Sequence, residues 1–257
     1  MNLFKSELRK VLYARSSYGL LAAAVGISVL SASVTPYAIT MSSRILGGLN
    51  KSELVDTVYG KATGGYLFAV ILGVILMAGE FKQGTAVATF LAAPKRSRVL
   101  LVKIAVAALC GFLLQLLAAG AGVVAAKIAL SFYPEAAEPS GTVIINTLLA
   151  AVISGLVLAV VGVAVGTLIR NQTLATLAVV IWLNVVEPIL ILVFPDGAKF
   201  FATGCIGGIL DLHVTVSKLN LSTNNYLDPL SAALLLLCYG VVFAGLAMVT
   251  TLRRDID

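Results

Sequence analysis

The stretch that decides the fold is "TVIINTLLAAVISGLVLAVVGVAVGTLI", Thr142 to Ile169, which runs for 28 residues without a charged side chain. About 20 mainly apolar residues in a helix are enough to cross a bilayer. The whole chain of 257 residues is 60% hydrophobic and only 12% charged, whereas a soluble domain is about a quarter charged. These features predict an all-α protein that lies in a membrane.

Working outward from this stretch, further apolar runs on both sides predict a polytopic protein with six transmembrane helices. The predicted spans are Tyr18–Ile39, Gly64–Ala78, Val99–Ala126, Thr142–Ile169, Leu174–Phe194 and Leu230–Leu252. The second is short, and we expect it to borrow a turn from the preceding "DTVYGKAT", with Lys61 extending toward the headgroups. Residues 1–257 contain no sign of a second domain or a repeat, so we predict a single membrane domain.

The basic residues predict the orientation of the chain. With six spans and the N-terminus inside, twelve of the eighteen Lys and Arg residues fall in inner segments. Because cytoplasmic loops carry the excess of Lys and Arg, both termini are predicted to be cytoplasmic, in a multi-pass protein of the plasma membrane. The charges are divided among short loops, so they indicate contact with membrane lipids and disfavour nucleic acid as a partner.

Two segments outside the spans carry their own patterns. Residues 1–17 predict an amphipathic helix in the membrane interface, although a basic flank that only sets orientation would also fit. Residues 195–229, before the last span, contain an apolar run too short to cross, which predicts a re-entrant or interfacial extracellular segment. In the first segment the apolar face holds Phe4, Leu8, Val11 and Leu12, and the other faces hold Lys5, Arg9 and Lys10.

A short helix is predicted between the second and third spans, in the loop "GEFKQGTAVATFLAAPKRSR" from Gly79 to Arg98. Gly84 permits a turn, Thr85 is a candidate N-cap, and Pro94 disfavours helix in the residue before it. The intervening "AVATFLAA" forms about two apolar turns at the cytoplasmic surface, which lipid, the rest of the protein or a partner must cover. The alternative is an ordinary basic loop. We expect Glu80 to pair with a basic residue of a partner or of the N-terminal helix.

This loop resembles the "E-[FY]-[RK]-x-G-T…L…P-x-[RS]-x…K" stretch of type-2 ABC exporter permeases, in particular the small stand-alone permeases of Gram-positive, actinobacterial type. The resemblance implies that the 79–98 loop is a coupling helix that rests on a separate ABC ATPase subunit. An apolar Phe90 would help to fill the groove on that subunit. The matching positions are Glu80, Phe81, Lys82, Gly84, Thr85, Leu91, Pro94, Arg98 and Lys103.

The resemblance also implies a function. Two permease copies, identical or related, would pair with two ATPases, and a hydrophobic or amphipathic substrate would leave the cell at the expense of ATP. This chain would bind no cofactor, because ATP and Mg²⁺ would sit on the partner. Residue patterns leave two alternatives open, an ATPase-independent carrier or channel and an intramembrane enzyme, and they predict no catalytic residue and no metal site.

Polar and small residues inside the spans are the remaining candidates. Glu187 is an acid deep in the fifth span, Asn184 lies three residues earlier, and Pro188 interrupts the helix between them and the extracellular end. These residues predict either a group on the translocation path or a local hydrogen bond that fixes a kink. Gly162 and Gly166 have the spacing that lets another helix approach closely, within the chain or between subunits.

Overall fold

The computed structural model describes residues 3–46, 51–84, 96–133, 138–169, 171–210 and 226–253, and within these ranges it contains helices and no strand. The helices are α1 Leu3–Tyr13, α2 Arg15–Leu46, α3 Lys51–Lys61, α4 Tyr66–Lys82, α5 Arg96–Ser131, α6 Gly141–Leu168, α7 Gln172–Ile181, α8 Glu187–Val193, α9 Ala202–Ile209 and α10 Pro229–Arg253. A π-helical turn, Trp182–Val186, joins α7 to α8, and a 3₁₀ helix, Pro195–Phe200, precedes α9.

Six helical segments in the described ranges are long and apolar enough to cross a membrane, which confirms the predicted all-α, multi-pass architecture. As the sequence predicted, the second span also includes residues before Gly64. We call the membrane side on which α1 lies the α1 side, and the opposite side the far side. In chain order, spans 1 to 6 are Arg15–Met41, Leu54–Lys82, Ser97–Ser131, Gly141–Leu168, Gln172–Val193 and Pro229–Val249.

Span 4 lies at the centre of the protein and packs against spans 2, 3 and 6. Its contact with span 2 is close because glycines face backbone there. A Cβ atom at Gly162 would collide with the carbonyl oxygen of Val70, and one at Gly166 would lie 3.1 Å from the carbonyl oxygen of Val74. The structure thus places both glycines at a helix contact within the chain, where small residues allow backbones to approach.

Span 2 is interrupted by a turn at residues 62–65, between α3 and α4. Inside a membrane, carbonyl groups released by such a turn need other partners. Ser31 Oγ of span 1 donates to the Lys61 carbonyl at 2.8 Å, and Gln115 Nε2 of span 3 donates to the Thr63 carbonyl at 2.6 Å. Within the turn, the same two carbonyls accept only the longer bonds from the N–H groups of Gly64 at 3.2 Å and Tyr66 at 3.3 Å. The neighbouring spans therefore add shorter hydrogen bonds to the backbone of the interrupted helix.

The 3₁₀ helix and α9 fold back on each other to form a helical pair after span 5. Their contact is tight, since a Cβ atom at Gly204 would collide with the carbonyl oxygen of Ala198. Cys205 Sγ contacts the Lys199 carbonyl oxygen at 3.6 Å, and α9 packs against the beginning of span 6. The tip of this helical pair, residues 200–203, lies against Glu187 of span 5 and Tyr239 of span 6.

Candidate functional site

Four charged side chains meet at the α1 side, where span 2 ends and span 3 begins. Lys103 Nζ of span 3 lies 2.7 Å from Glu7 Oε2 of α1 and 2.8 Å from Glu80 Oε1 of span 2. Lys10 Nζ of α1 lies 2.5 Å from Glu7 Oε1 and 2.9 Å from Glu80 Oε1. Each base therefore contacts both acids, and we call this group the four-charge cluster.

The four-charge cluster is largely buried and electrically balanced. The side chains of Glu7 and Lys103 are 1% exposed and that of Glu80 is 10% exposed, whereas Lys10 is 50% exposed at the rim. A buried charge is costly unless it is paired and hydrogen-bonded, and here two acids balance two bases. The cluster therefore attaches α1 to the ends of the two spans that flank the 79–98 loop.

The charges shift the pKa values of the two cluster residues on α1. Burial alone would raise the pKa of the Glu7 carboxyl, but Lys103 and Lys10 outweigh it and hold this pKa below its ordinary value of 4.5. Burial alone would lower the pKa of Lys10, but its contacts with Glu7 and Glu80 raise it above 10.5. Both shifts favour the charged forms that bind α1 to the spans.

The attachment of α1 should consequently depend on pH only at the extremes. The contribution of Glu7 is lost as pH falls through its lowered pKa, and that of Lys10 is lost as pH rises through its raised pKa. We expect α1 to stay attached between about pH 5 and 10 and to detach in stronger acid. Lys10 is half exposed and contributes little, so the loss of its charge at higher pH should have a small effect. A nitroxide at Tyr13, in a chain whose three cysteines are replaced, should gain mobility only below this range.

The matched control is the same label at Tyr37 of span 1, which is also exposed and lies far from the cluster. Its mobility should not follow pH. A mobility change of the Tyr13 label centred near neutral pH would contradict the assignment of α1 attachment to Glu7 and Lys10.

The predicted coupling residues are only partly described by the structure. Glu80 belongs to the four-charge cluster, Phe81 packs against the core, and Lys82, Gly84 and Arg98 are exposed. Of the two partners expected for Glu80, the structure shows the one on the N-terminal helix, Lys10. Lys103 of the family pattern also joins Glu80. Thr85, Phe90, Leu91 and Pro94 lie outside the described residues.

Gly84 ends span 2 with a backbone conformation that favours glycine. Its φ is +67°, and its N–H donates to the Phe81 carbonyl at 3.3 Å, as in a left-handed helix C-cap. The turn that the sequence predicted at this position is therefore present. It sets the direction in which the chain leaves the membrane toward residues 85–95.

Glu7 was missed by the sequence analysis, which considered only the apolar and basic side chains of the N-terminal helix. It is the one acid among residues 1–17 and lies one helical turn before Val11, on the face that is buried in the structure. A lone acid on the buried face of a basic helix is the signal that would have identified it.

Glu187 is buried in span 5 and caps α9. Its Oε1 atom accepts hydrogen bonds from the Thr203 N–H at 2.7 Å and from the Thr203 hydroxyl at 2.8 Å. Thr203 is in the first turn of α9, where backbone N–H groups lack helical partners and a negative charge is favoured. The carboxylate can therefore hold the tip of the helical pair against span 5.

The side chains of Asn184 and Glu187 do not lie together in the structure. The π-helical turn, in which the Glu187 N–H donates to the Trp182 carbonyl, changes the rotation of the helix between the two residues. Asn184 is exposed and its Nδ2 donates to the Val180 carbonyl of its own helix at 3.0 Å. The two translocation-path candidates thus point to different surroundings.

Substitutions at Glu187 should separate its two predicted roles. Glu187→Gln keeps an oxygen acceptor for both donors of Thr203, whereas Glu187→Leu leaves them without it and should cost about 0.5–2 kcal/mol, the value of a lost helix cap. Unfolding of the purified chain in detergent measures this difference. If Glu187→Gln is folded and stable but abolishes the activity of the protein, the role of Glu187 is more than a cap.

No cluster of three or more His, Cys, Asp or Glu side chains that could hold a metal ion occurs in the described ranges. The four-charge cluster has two acids, and lysine ammonium groups contact both carboxylate oxygens of Glu7 and Oε1 of Glu80. The arrangement therefore suits a mechanical attachment between helices.

No protein-family model matches this chain, and no curated protein is significantly similar to it.

Proposed function

We propose that this chain is the transmembrane permease subunit of an ATP-driven ABC exporter, which moves a hydrophobic or amphipathic substrate out of the cell. ATP is hydrolysed by a separate ATPase subunit, and the chain itself is not an enzyme. The observation that supports this function is the four-charge cluster, because it unites α1 with both ends of the predicted coupling loop.

The cluster gives a mechanical reason for this proposal. The loop leaves span 2 just after Glu80 and returns into span 3 before Lys103. Glu80 contacts Lys10 of α1, and Lys103 contacts Glu7 of α1. A partner that moves the loop therefore moves α1 and the ends of spans 2 and 3 as one body. Span 2 in turn packs closely on span 4, so the motion extends to the centre of the protein.

In this proposal the helical pair at residues 195–209 belongs to a re-entrant extracellular segment, and α1 lies in the cytoplasmic interface. Both termini are cytoplasmic and the protein resides in the plasma membrane. Glu187 and Asn184 are candidates for the translocation path. Glu187 would act through the position of the helical pair, whose tip it holds.

The exposed spans support a second permease copy and lipids as further partners. In spans 1 and 5 only 17% of the most apolar window is buried within the chain, against 61% in spans 2 and 4. Such apolar helix faces must be covered by lipid or by another membrane helix. A second copy, identical or related, would use these faces, while ATP and Mg²⁺ would bind to the ATPase.

The test of this function uses the full chain from its native membrane. We expect the tagged protein to purify with a stoichiometric protein that carries Gly-x-x-x-x-Gly-Lys-Ser/Thr, the phosphate-binding loop of an ATPase. Reconstituted in liposomes, the complex should hydrolyse ATP faster when a transported amphipathic compound is present. Compound movement that needs neither ATP nor a partner would instead establish a carrier or channel.

Gly84→Pro should uncouple ATP hydrolysis from transport. Proline fixes φ near −65°, whereas Gly84 has φ +67°, so the chain must leave span 2 in another direction. Among the described residues, no atom lies within 4 Å of a Cβ atom added at Gly84, so membrane insertion and the stability of the spans should be kept. The measurement is the ratio of compound transported to ATP hydrolysed in liposomes.

The control variant is Gln83→Ala, which changes the neighbouring exposed position without imposing a new φ. Another glycine-to-proline change such as Gly120→Pro would not be a suitable control, because Gly120 lies inside a helix. We expect Gln83→Ala to keep the transport ratio. A Gly84→Pro variant with an unchanged ratio would show that the 79–98 loop does not couple the ATPase to transport.

A further inference from the structure

A cavity of about 520 Å³ lies between spans 5 and 6. Both spans pack against span 4, but they make little contact with each other, so a gap remains over the surface of span 4. Every side chain that lines the cavity is aliphatic or aromatic, including Val161 of span 4, Ala178 of span 5 and Phe243 of span 6. Ala178 is exposed, so the cavity opens to the side, toward the membrane.

The cavity lies within the hydrocarbon region. Ala178 is about 9 Å from the beginning of span 5, and Tyr239 is about 15 Å from the beginning of span 6, at 1.5 Å per helical residue. The hydrocarbon core is about 30 Å thick, so both positions are well inside it. The lining is almost wholly apolar, so it offers water few hydrogen-bonding partners. An apolar occupant is therefore favoured.

The far-side end of the cavity is closed by the tip of the helical pair. Phe200 and Phe201 line this end, and two polar contacts hold them there. Tyr239 Oη of span 6 donates to the Phe200 carbonyl at 2.6 Å, and Glu187 of span 5 accepts from Thr203. The two spans that border the gap thus each hold the same tip, which gives the cavity a fixed end wall.

We propose that this cavity binds one hydrocarbon chain of a membrane lipid, with the chain terminus against Phe200 and Phe201. The volume is in the range of sites for small apolar molecules. A helix from a second copy is at least about 10 Å across, so about one helical turn would fill the cavity. A single hydrocarbon chain is narrower and therefore fits the cavity better. The inference does not depend on the exporter function, because the lining, the depth and the end wall are independent of any ATPase.

The test places a photoreactive diazirine near the end of one acyl chain of a phosphatidylglycerol. The full chain is reconstituted into vesicles of phosphatidylethanolamine and phosphatidylglycerol with a trace of this lipid, irradiated, and analysed by peptide mass spectrometry. We expect adducts to concentrate on the peptides that contain Leu183, Phe200 and Tyr239. An even distribution of adducts over all exposed apolar faces would overturn the proposal.

Two tryptophan variants form a matched pair. Ala178→Trp fills the cavity from span 5, and Ala105→Trp adds the same side chain to an exposed face of span 3 at a similar depth. Labelling of the cavity peptides should be lost with Ala178→Trp and kept with Ala105→Trp. Equal labelling in both variants would contradict a bound chain. Val161→Phe, which reduces the cavity from span 4, repeats the test should Ala178→Trp not fold.

A third variant tests the end wall. Tyr239→Phe removes only the hydroxyl that holds the Phe200 carbonyl, and it leaves the apolar lining in place. The bound lipid should then exchange several-fold faster with unlabelled vesicles before irradiation, since the tip of the helical pair loses one of its two attachments. An exchange rate equal to that of the parent protein would refute the role given to this contact.

Discussion

Replacing Lys103 by methionine is expected to lower the free energy of unfolding by about 3–5 kcal/mol, the cost of removing one partner from a buried ion pair. Lys103 is 1% exposed and lies between the carboxylates of Glu7 and Glu80. Without its ammonium group, these two acids remain buried and only the rim residue Lys10 compensates them. Reversible unfolding of the purified chain in mixed micelles measures the loss.

Two variants serve as controls for this prediction. Lys10→Met removes a base that is half exposed, so its effect should be small, about 1 kcal/mol or less. The double variant Glu7→Gln with Lys103→Met removes one charge of each sign and should recover part of the stability that Lys103→Met loses. A Lys103→Met variant as stable as the parent would mean that the four-charge cluster does not attach α1 to the spans.

Replacing Gly162 by leucine should be about as damaging as the loss of Lys103. The Cβ atom alone would collide with the carbonyl oxygen of Val70, which belongs to the backbone and cannot move aside without the helix. Spans 2 and 4 must therefore separate, and we expect a loss of about 3 kcal/mol, the upper end of the usual cost of overpacking. The yield of folded protein and its unfolding in mixed micelles report the effect.

Gly245→Leu is the matched control, because Gly245 lies in span 6 and no atom in the described part of the chain lies within 4 Å of an added Cβ. It is expected to fold and to unfold like the parent protein. If Gly162→Leu were equally stable, the close contact of spans 2 and 4 would not be required for the fold.

The six spans could be predicted from the sequence because apolar runs of this length are stable in a membrane as transmembrane helices. The addition of residues before Gly64 to span 2 was predicted for the same reason, since Gly64–Ala78 alone is too short to cross. Helix length and hydrophobicity are local properties. They do not require knowledge of which spans are neighbours.

The four-charge cluster could be predicted only in part because it depends on contacts between distant parts of the chain. The pairing of Glu80 with the N-terminal helix was one of two expected outcomes, but the sequence does not say which base is in reach. Glu7 and Lys103 are 96 residues apart. Their contact follows from the way span 3 packs beside α1, which no periodic pattern records.

The separation of Asn184 from Glu187 shows a different limit of sequence reasoning. Residues three apart share a face of a regular α-helix, but the turn Trp182–Val186 is π-helical. The irregular turn directs Glu187 toward Thr203, sixteen residues later, and leaves Asn184 exposed. The proline at position 188 indicated an irregularity, whereas the partner of Glu187 depended on where α9 lies.

The interruption of span 2 at residues 62–65 has a consequence for how the protein is assembled. The carbonyls of Lys61 and Thr63 accept the N–H groups of Gly64 and Tyr66 at 3.2 and 3.3 Å within the turn. They also accept shorter bonds from Ser31 and Gln115, which belong to two other spans and are in reach only when spans 1 and 3 lie beside span 2. We therefore expect the interrupted form of span 2 to gain its full stability late in assembly, as a joint property of three helices.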